Sequence, residues 1–417
     1  MLLTSIDSAS IESQRGLSAP TSIGQETILR LLEENIEEAL KGKRNGLAIP
    51  AIKRLSDKSL LAQFPAAPGC ENAPAVCFAA HVDTHPDCVG KANPIIHDYQ
   101  GGDLKLPCQG IVIPASDLQR FVGGRIITGD GTSLLGGDDK TGVAALITVI
   151  ETLVSQPDFP HGRLDFWFAV DEEIGGMISD ILPEEVVHNW SILWTADGGE
   201  VGLIDIATMC GGFLKVEFKG VNAHPGDEGY NLKPAHYAAA ELVAKIGELP
   251  SPWNTSGLES FFYATNIEEG KADSCRVLFH PRSFERAEIQ KMAAEIKNLA
   301  QAAARQYGVA VTIKDEGVIY TDTGPAIEAR KYLLSPVISA HREAGFEPHF
   351  QTVRAGTDGS TLNLKYPRLP APNLGVGAFR IHSQYEFVVA RQLEALPRII
   401  LKMIEGYALM AALPELG

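Results

Sequence analysis

Val76-Cys77-Phe78-Ala79-Ala80 runs without a break into His81-Val82-Asp83-Thr84, and that junction decides how the rest of the chain is read. The apolar half predicts a strand buried on both faces, because a strand with one wet face would alternate polar and apolar residues. Two more runs repeat the pattern. Leu164-Asp165-Phe166-Trp167-Phe168-Ala169-Val170 ends in Asp171-Glu172-Glu173, and Ile192-Leu193-Trp194-Thr195-Ala196 ends in Asp197-Gly198-Gly199. Buried strands interleaved with helical stretches predict an α/β fold, a mixed and largely parallel sheet with helices on both faces. In such sheets functional groups collect beyond the carboxyl ends of the strands, and there these histidine and carboxylate residues stand.

Imidazole nitrogen and carboxylate oxygen are the donor set of a hydrolytic metal centre. Two cations about 3.5–4 Å apart need a ligand between them, and a carboxylate has two oxygens to share. His81, Asp138, Glu173, Asp197 and His382 can fill such a site, and Glu172, beside a ligand, is free to act as a general base. Asp83, two residues after His81, is placed to hold that imidazole through its other nitrogen. Each residue also has a plainer reading. Asp138-Asp139 ahead of Thr141-Gly142-Val143-Ala144 suits a helix N-cap, Asp197-Gly198-Gly199 suits a tight turn, and Glu172-Glu173 suits a solvated one. One histidine among eleven is ordinarily a surface or core residue. The joint occurrence of these groups at successive strand ends favours the metal centre.

The wider text resembles the peptidase T family of tripeptide aminopeptidases, within the dizinc aminoacylase and carboxypeptidase superfamily. The resemblance rests on His81-Val82-Asp83-Thr84, Asn93-Pro94, Tyr99-Gln100-Gly101-Gly102-Asp103, Leu134 to Gly142, Asp171-Glu172-Glu173 and Asp197-Gly198-Gly199. It continues in His224-Pro225-Gly226, Gly356-Thr357-Asp358-Gly359, Pro372-Asn373-Leu374 and His382 to Val388, so it runs from about residue 25 to the C-terminus. It implies two divalent ions, zinc first, with cobalt or manganese also accepted by such ligands. Asp138 would bridge them, with His81 and Asp197 on one ion and Glu173 and His382 on the other. Glu172 would be the base that activates the bridging water, and Asp83 would orient His81. Arg354 would hold the carboxylate end of a peptide, His224 would stabilise the oxyanion from a second domain or subunit, and Asp103 is assigned to the substrate amine. The resemblance also implies a homodimer.

Departures from the family pattern touch substrate recognition and not the metal ligands. Leu278-Phe279-His280-Pro281, flanked by Arg276 and Arg282, stands where an arginine-aspartate pair is usual. Pro234-Ala235 replaces an Asn-Ala pair, with extra residues around Tyr230-Asn231. His85 adds an imidazole where serine is common, and Ser383-Gln384-Tyr385 follows His382.

At 417 residues the chain exceeds what one core usually supports. The glycines near Thr208-Met209-Cys210-Gly211-Gly212 predict a hinge, and the alternating Phe213 to Phe218 a half-exposed strand. Helices are expected over Ala235–Gly247 and Phe284–Tyr307, with strands near Ser260–Ala264 and Val309–Lys314. These define an inserted, smaller α+β sandwich at residues 210–321, serving as lid and dimerisation domain. Residues 1–209 and 322–417 would then form the discontinuous catalytic domain, opening with a Ser-rich, poorly specified lead before Thr21 and a helix over Gln25–Lys41. The net charge of −16 argues against nucleic acid or an anionic membrane as partner. No apolar stretch approaches the roughly 18 residues of a membrane span, and six scattered cysteines without a C-x-x-C suggest a reducing cytoplasm. Three functions compete: an exopeptidase taking the N-terminal residue from short peptides, a related amidohydrolase (N-acyl amino acid deacylase, dipeptidase or carboxypeptidase), and a non-catalytic binding protein. The third conflicts with a cluster of carboxylates that is costly without a cation.

Overall fold

The computed structural model describes residues 2–41, 50–175, 182, 184–226 and 232–412. Leu164–Ala169, Val76–His81 and Ile192–Ala196 lie side by side and parallel at the heart of an eight-stranded sheet. Four pairings between neighbours in that sheet are parallel and three antiparallel. Successive residues of the central strands feed opposite layers. Phe78, Ala80, Phe166 and Phe168 join a core with residues of the helices Ile23–Leu40, Gly137–Ser155 and Ala390–Leu409. Cys77, Ala79, Trp167 and Ala169 join another with Trp190, Leu362 and Tyr366. A strand covered on both sides has no wet face on which to place a charge, which is why these runs are continuously apolar. Asp165 is the exception, and its buried carboxylate accepts from Trp190 Nε1 at 2.6 Å and Gln63 Nε2 at 3.2 Å.

The expected inserted sandwich is present. Cys210–Lys219, Ala264–Glu268, Ser274–Phe279, Arg282–Ser283 and Ala310–Tyr320 form a five-stranded antiparallel sheet. The helices Ala235–Gly247 and Arg286–Tyr307 pack on it, burying Leu214, Val216, Phe218, Leu242, Val277 and Ile296 in a core of their own. Strand bounds shift from the expectation near Ser260 and Val309, since one strand begins only at Ala264 and the other runs on to Tyr320. Tyr230 and Asn231 lie outside the described residues.

Two expectations are corrected. Gly211 and Gly212 are not a hinge but lie within a strand, opposite Tyr320 and Val318, with a register shift between them. A Cβ on Gly211 would sit 2.1 Å from Cζ of Tyr320, so the glycine admits a ring. The Ser-rich lead is not loosely specified either. Ser8, Ala9 and Ser10 are buried, Ala9 bridges Thr84, and the Ser10 N–H donates to Thr84 O at 3.0 Å. A smaller sheet of Ile95–Asp98, Arg125–Thr128, Ala378–Phe379 and Phe387–Val389 carries the turn that holds His382.

Candidate metal centre

Five elements deliver the clustered groups. His81 is the last residue of its strand, Asp197 follows Ile192–Ala196 directly, and Glu172 and Glu173 open a single 3-10 turn just beyond Leu164–Ala169. Asp138 lies in the first turn of Gly137–Ser155, and His382 sits with φ of 60° between Ala378–Phe379 and Phe387–Val389. A left-handed backbone at a histidine is uncommon and marks a position the surrounding structure holds in place.

The carboxylate of Asp138 faces both histidines. Its Oδ1 lies 3.1 Å from His81 Nε2, and its Oδ2 lies 3.2 Å from His382 Nε2. Each imidazole has a second carboxylate of its own: Asp197 Oδ1 is 3.5 Å from His81 Nε2, and Glu173 Oε2 is 2.9 Å from His382 Nε2. Two overlapping donor sets follow, one of His81, Asp138 and Asp197, the other of Glu173 and His382 with the second oxygen of Asp138. This is a bridging geometry. A carboxylate with one oxygen toward each set is what a two-ion site requires.

The donors fit divalent cations on physical grounds as well. Burial works against a charged His81, yet Asp138, Asp197 and Asp83 outweigh it and hold its proton affinity well above the usual histidine range. The same holds for His382, where burial is overcome by Asp138 and Glu173 and the pKa rises to about 11. Burial, then the charge of Asp138, pushes Glu173 to about 7 and Asp197 to about 6. Glu173 Oε1 is buried with no hydrogen-bond partner among the described residues. A field that negative, with an orphaned carboxylate oxygen inside it, is relieved by positive charge.

A second layer fixes the first. His81 Nδ1 contacts Asp83 O at 3.1 Å and Asp83 Oδ1 at 3.3 Å. Fully buried, Asp83 also accepts the N–H groups of Glu172 and Glu173, each at 3.1 Å, and the hydroxyl of Ser10. One carboxylate thus ties two strand-end segments and the N-terminal lead together. Asp139 takes the cap reading, accepting the Gly142 N–H at 3.1 Å while also accepting from the His81 N–H at 3.1 Å. Asp171 is held by Thr21 and Gln25, with the Gln25 amide donating at 2.7 Å.

Two supporting carboxylates escaped the sequence reading. Glu386 is buried and accepts the N–H of Gly136 at 2.8 Å and of Asp138 at 2.9 Å, so it sets the turn that aims Asp138. Asp358 is buried, its Oδ1 without a hydrogen-bond partner among the described residues, and its charge acts on Glu172, whose pKa is raised well above the usual range by burial and then by Asp358. Both belong to stretches legible as motif text, but nothing in their spacing assigns them a task.

The three residues expected to handle substrate lie apart from this cluster's network. Arg354 donates to Thr255 O at 2.7 Å, Thr255 Oγ1 at 2.6 Å and Glu259 O at 3.2 Å, and stacks over Phe261. Asp103 accepts the N–H of Ala115 at 2.8 Å, beneath the short helix Ala115–Leu118. His224 is exposed, in the loop beyond Cys210–Lys219, and its Nδ1 accepts the Gly226 N–H at 3.2 Å.

Comparison with known proteins places the whole chain among peptidases. The model of peptidase family M20/M25/M40 matches residues 135–406. Peptidase T of Caldanaerobacter subterraneus is 30% identical over 401 residues, covering 93% of each chain. Peptidase T of Clostridium perfringens is 30% identical over 410 residues, covering 97% of this chain and 96% of its own. Among solved structures, a tripeptidase from Staphylococcus aureus superposes with a TM-score of 0.70 at 20% identity, over 98% of this chain and 96% of that one. Aminopeptidase PepT from Bacillus cereus gives 0.66 at 20% identity with the same coverage.

Proposed function

We propose, starting from the fact that this chain belongs to peptidase family M20/M25/M40 and within it to the peptidase T group, that it is a two-metal aminopeptidase releasing the N-terminal residue of tripeptides. That it is a peptidase follows from the family, and family and donor set together support divalent-metal use. The observation that carries the finer reading is Asp138, with one oxygen toward His81 and the other toward His382. His81 and Asp197 would hold one ion, Glu173 and His382 the other, with Asp138 shared. Bound there, two divalent ions, zinc foremost, would supply Lewis acidity toward the scissile carbonyl and lower the pKa of the attacking water.

The chain's own groups do the rest. Glu172 accepts the proton of the attacking water and delivers it to the departing amine, work for which a carboxylate raised above its ordinary range is suited. Asp83 keeps His81 in one tautomer and ring angle. His224 stabilises the developing oxyanion, and Arg354 and Asp103 take the peptide's carboxylate and amine. For Arg354 this means exchanging its bonds to Thr255 and Glu259 for the substrate, so binding and movement of residues 251–259 go together.

Residues 210–321 would act as lid and dimer surface, and residues 1–209 with 322–417 as the catalytic unit. The exposed apolar side chains Trp253, Leu258 and Ile267, the last on the edge strand Ala264–Glu268, support a second copy as partner. Six free thiols agree with a cytoplasmic setting, and no described helix is long and apolar enough to cross a membrane.

The test is mass-spectrometric. Zinc-loaded protein is offered a tripeptide, its N-acetylated form and the matching dipeptide, with and without chelator. Chelator-sensitive release of the first residue from the free tripeptide alone is the expected result. Cleavage of the acetyl group or of the dipeptide would place the chain among the amidohydrolases instead.

A further inference from the structure

The strand end at His81 is followed at once by a second copy of the same dipeptide pattern, His85-Pro86-Asp87 after His81-Val82-Asp83. The first pair turns Nδ1 of His81 toward Asp83 and leaves Nε2 for the carboxylate cluster. The second repeats the residue pattern but not the bonding: Nδ1 of His85 accepts the Asp87 N–H at 3.2 Å and lies 3.6 Å from Asp87 Oδ2. The His85 ring lies flat against that of His382, with centroids 4.1 Å apart and planes 22° from parallel. His85, Glu173 and His382 each offer a ligand atom, and the three atoms lie within 4.8 Å of one another. Glu173 contributes a buried oxygen with no hydrogen-bond partner among the described residues.

We propose that His85 is itself a metal ligand, giving the ion held by Glu173 and His382 a second imidazole. The inference rests on the two-metal reading above and adds a residue to it. Ligation through Nε2 needs the ring proton on Nδ1 and the ring turned out of its stack on His382, so the contact with the Asp87 N–H gives way to one with the Asp87 carboxylate, as at His81. The ion would then have four protein donors: Asp138, Glu173, His382 and His85. Two nitrogens at one ion favour zinc or cobalt over manganese or magnesium, which prefer oxygen. The two ions would therefore differ in affinity and in metal choice, with His85 setting the difference.

The alternative is a ring that only braces His382 by stacking, and two variants separate these roles. His85→Phe keeps an aromatic face and removes the nitrogen, whereas His85→Ala removes both. Metal-free protein is titrated with Zn2+ against a chromophoric chelator and with Co2+ by visible absorption, and X-ray absorption counts imidazoles per ion. The expected result is two ions in the unaltered protein and a second ion weakened at least about 10-fold in both variants. The first ion keeps its affinity, the imidazole count falls, and the zinc-over-manganese preference of the second ion shrinks. A second ion as tight in His85→Phe as in the unaltered protein would overturn the ligand role while leaving the two-metal reading intact. A single ion in the unaltered protein would overturn both.

Discussion

The histidine-carboxylate cluster and the residues proposed to handle substrate are built in opposite ways. Around Asp138 the contributing side chains come from strand ends, a helix start or tight turns, and His81, Glu172, Glu173 and Asp138 are braced by the buried neighbours Asp83, Asp139 and Glu386. Arg354, Asp103 and His224 belong to loops or loop ends; Asp103 and His224 accept backbone N–H groups, and Arg354 reaches Thr255 and Glu259 about a hundred residues away. Chemistry that must not move is fixed by the sheet, whereas recognition that must admit and release a peptide is placed where bonds can be exchanged.

The sharpest way to break that contrast is at Glu172, which sits in the fixed region but is assigned no metal. Glu172→Ala should lower kcat about 10²–10⁴-fold, the usual scale for losing a general base, while metal analysis still finds both ions. Loss of an ion instead would make Glu172 a ligand and Glu173 the base. The pH profile sharpens the assignment. A base works only when ionised, so kcat/KM should fall as pH drops through the pKa of Glu172, which burial and Asp358 raise above the ordinary glutamate value.

Next in size is Glu386→Ala. It strands the N–H groups of Gly136 and Asp138, and two unsatisfied buried donors should cost about 3 kcal/mol by denaturant unfolding. Metal affinity should fall with it, because the turn carrying Asp138 loses its anchor. An unchanged affinity would mean that Asp138 is positioned without help.

The mobile side of the comparison is tested at Arg354. Arg354→Ala should raise KM for a tripeptide about 10-fold, or roughly 1.4 kcal/mol, with little change in kcat. A variant that melts earlier but binds substrate normally would make Arg354 only a clasp on Thr255 and Glu259. At neutral pH the smallest effect is expected at His280, whose pKa burial, Arg282 and Arg15 lower to about 3. A histidine held neutral in the fold protonates first when unfolded, so stability should decline as pH falls from about 6.5 toward 3. His280→Phe should flatten that decline in thermal melts across the same range, and an unaltered slope would place the acid sensitivity elsewhere.

What was legible follows the same division. Three apolar runs ending in His81, Asp171-Glu172-Glu173 and Asp197 announced both the sheet and one edge of the site, since burial on two faces leaves its mark on every residue. Helix Ala235–Gly247 was readable for the same reason, through its inward Ala238, Leu242 and Ile246. The bracing was not. Ser10 reaches Asp83 across 73 residues and Glu386 reaches Gly136 across 250, and a lone serine or glutamate carries no periodic signal. The stacked pair of His85 and His382 is hidden likewise, because a fold alone brings those loops together. Gly211 misled because glycine for flexibility and glycine for a neighbouring ring look identical in a sequence.

The account stands or falls on Asp138 as a shared ligand, and ions per chain measure that directly. Elemental analysis after equilibration at low free zinc should give two ions in the unaltered protein and none in Asp138→Ala, whereas His382→Ala should keep the ion at His81 and Asp197. One ion retained by Asp138→Ala would contradict the bridge, and with it the reading of this site as a single two-metal unit.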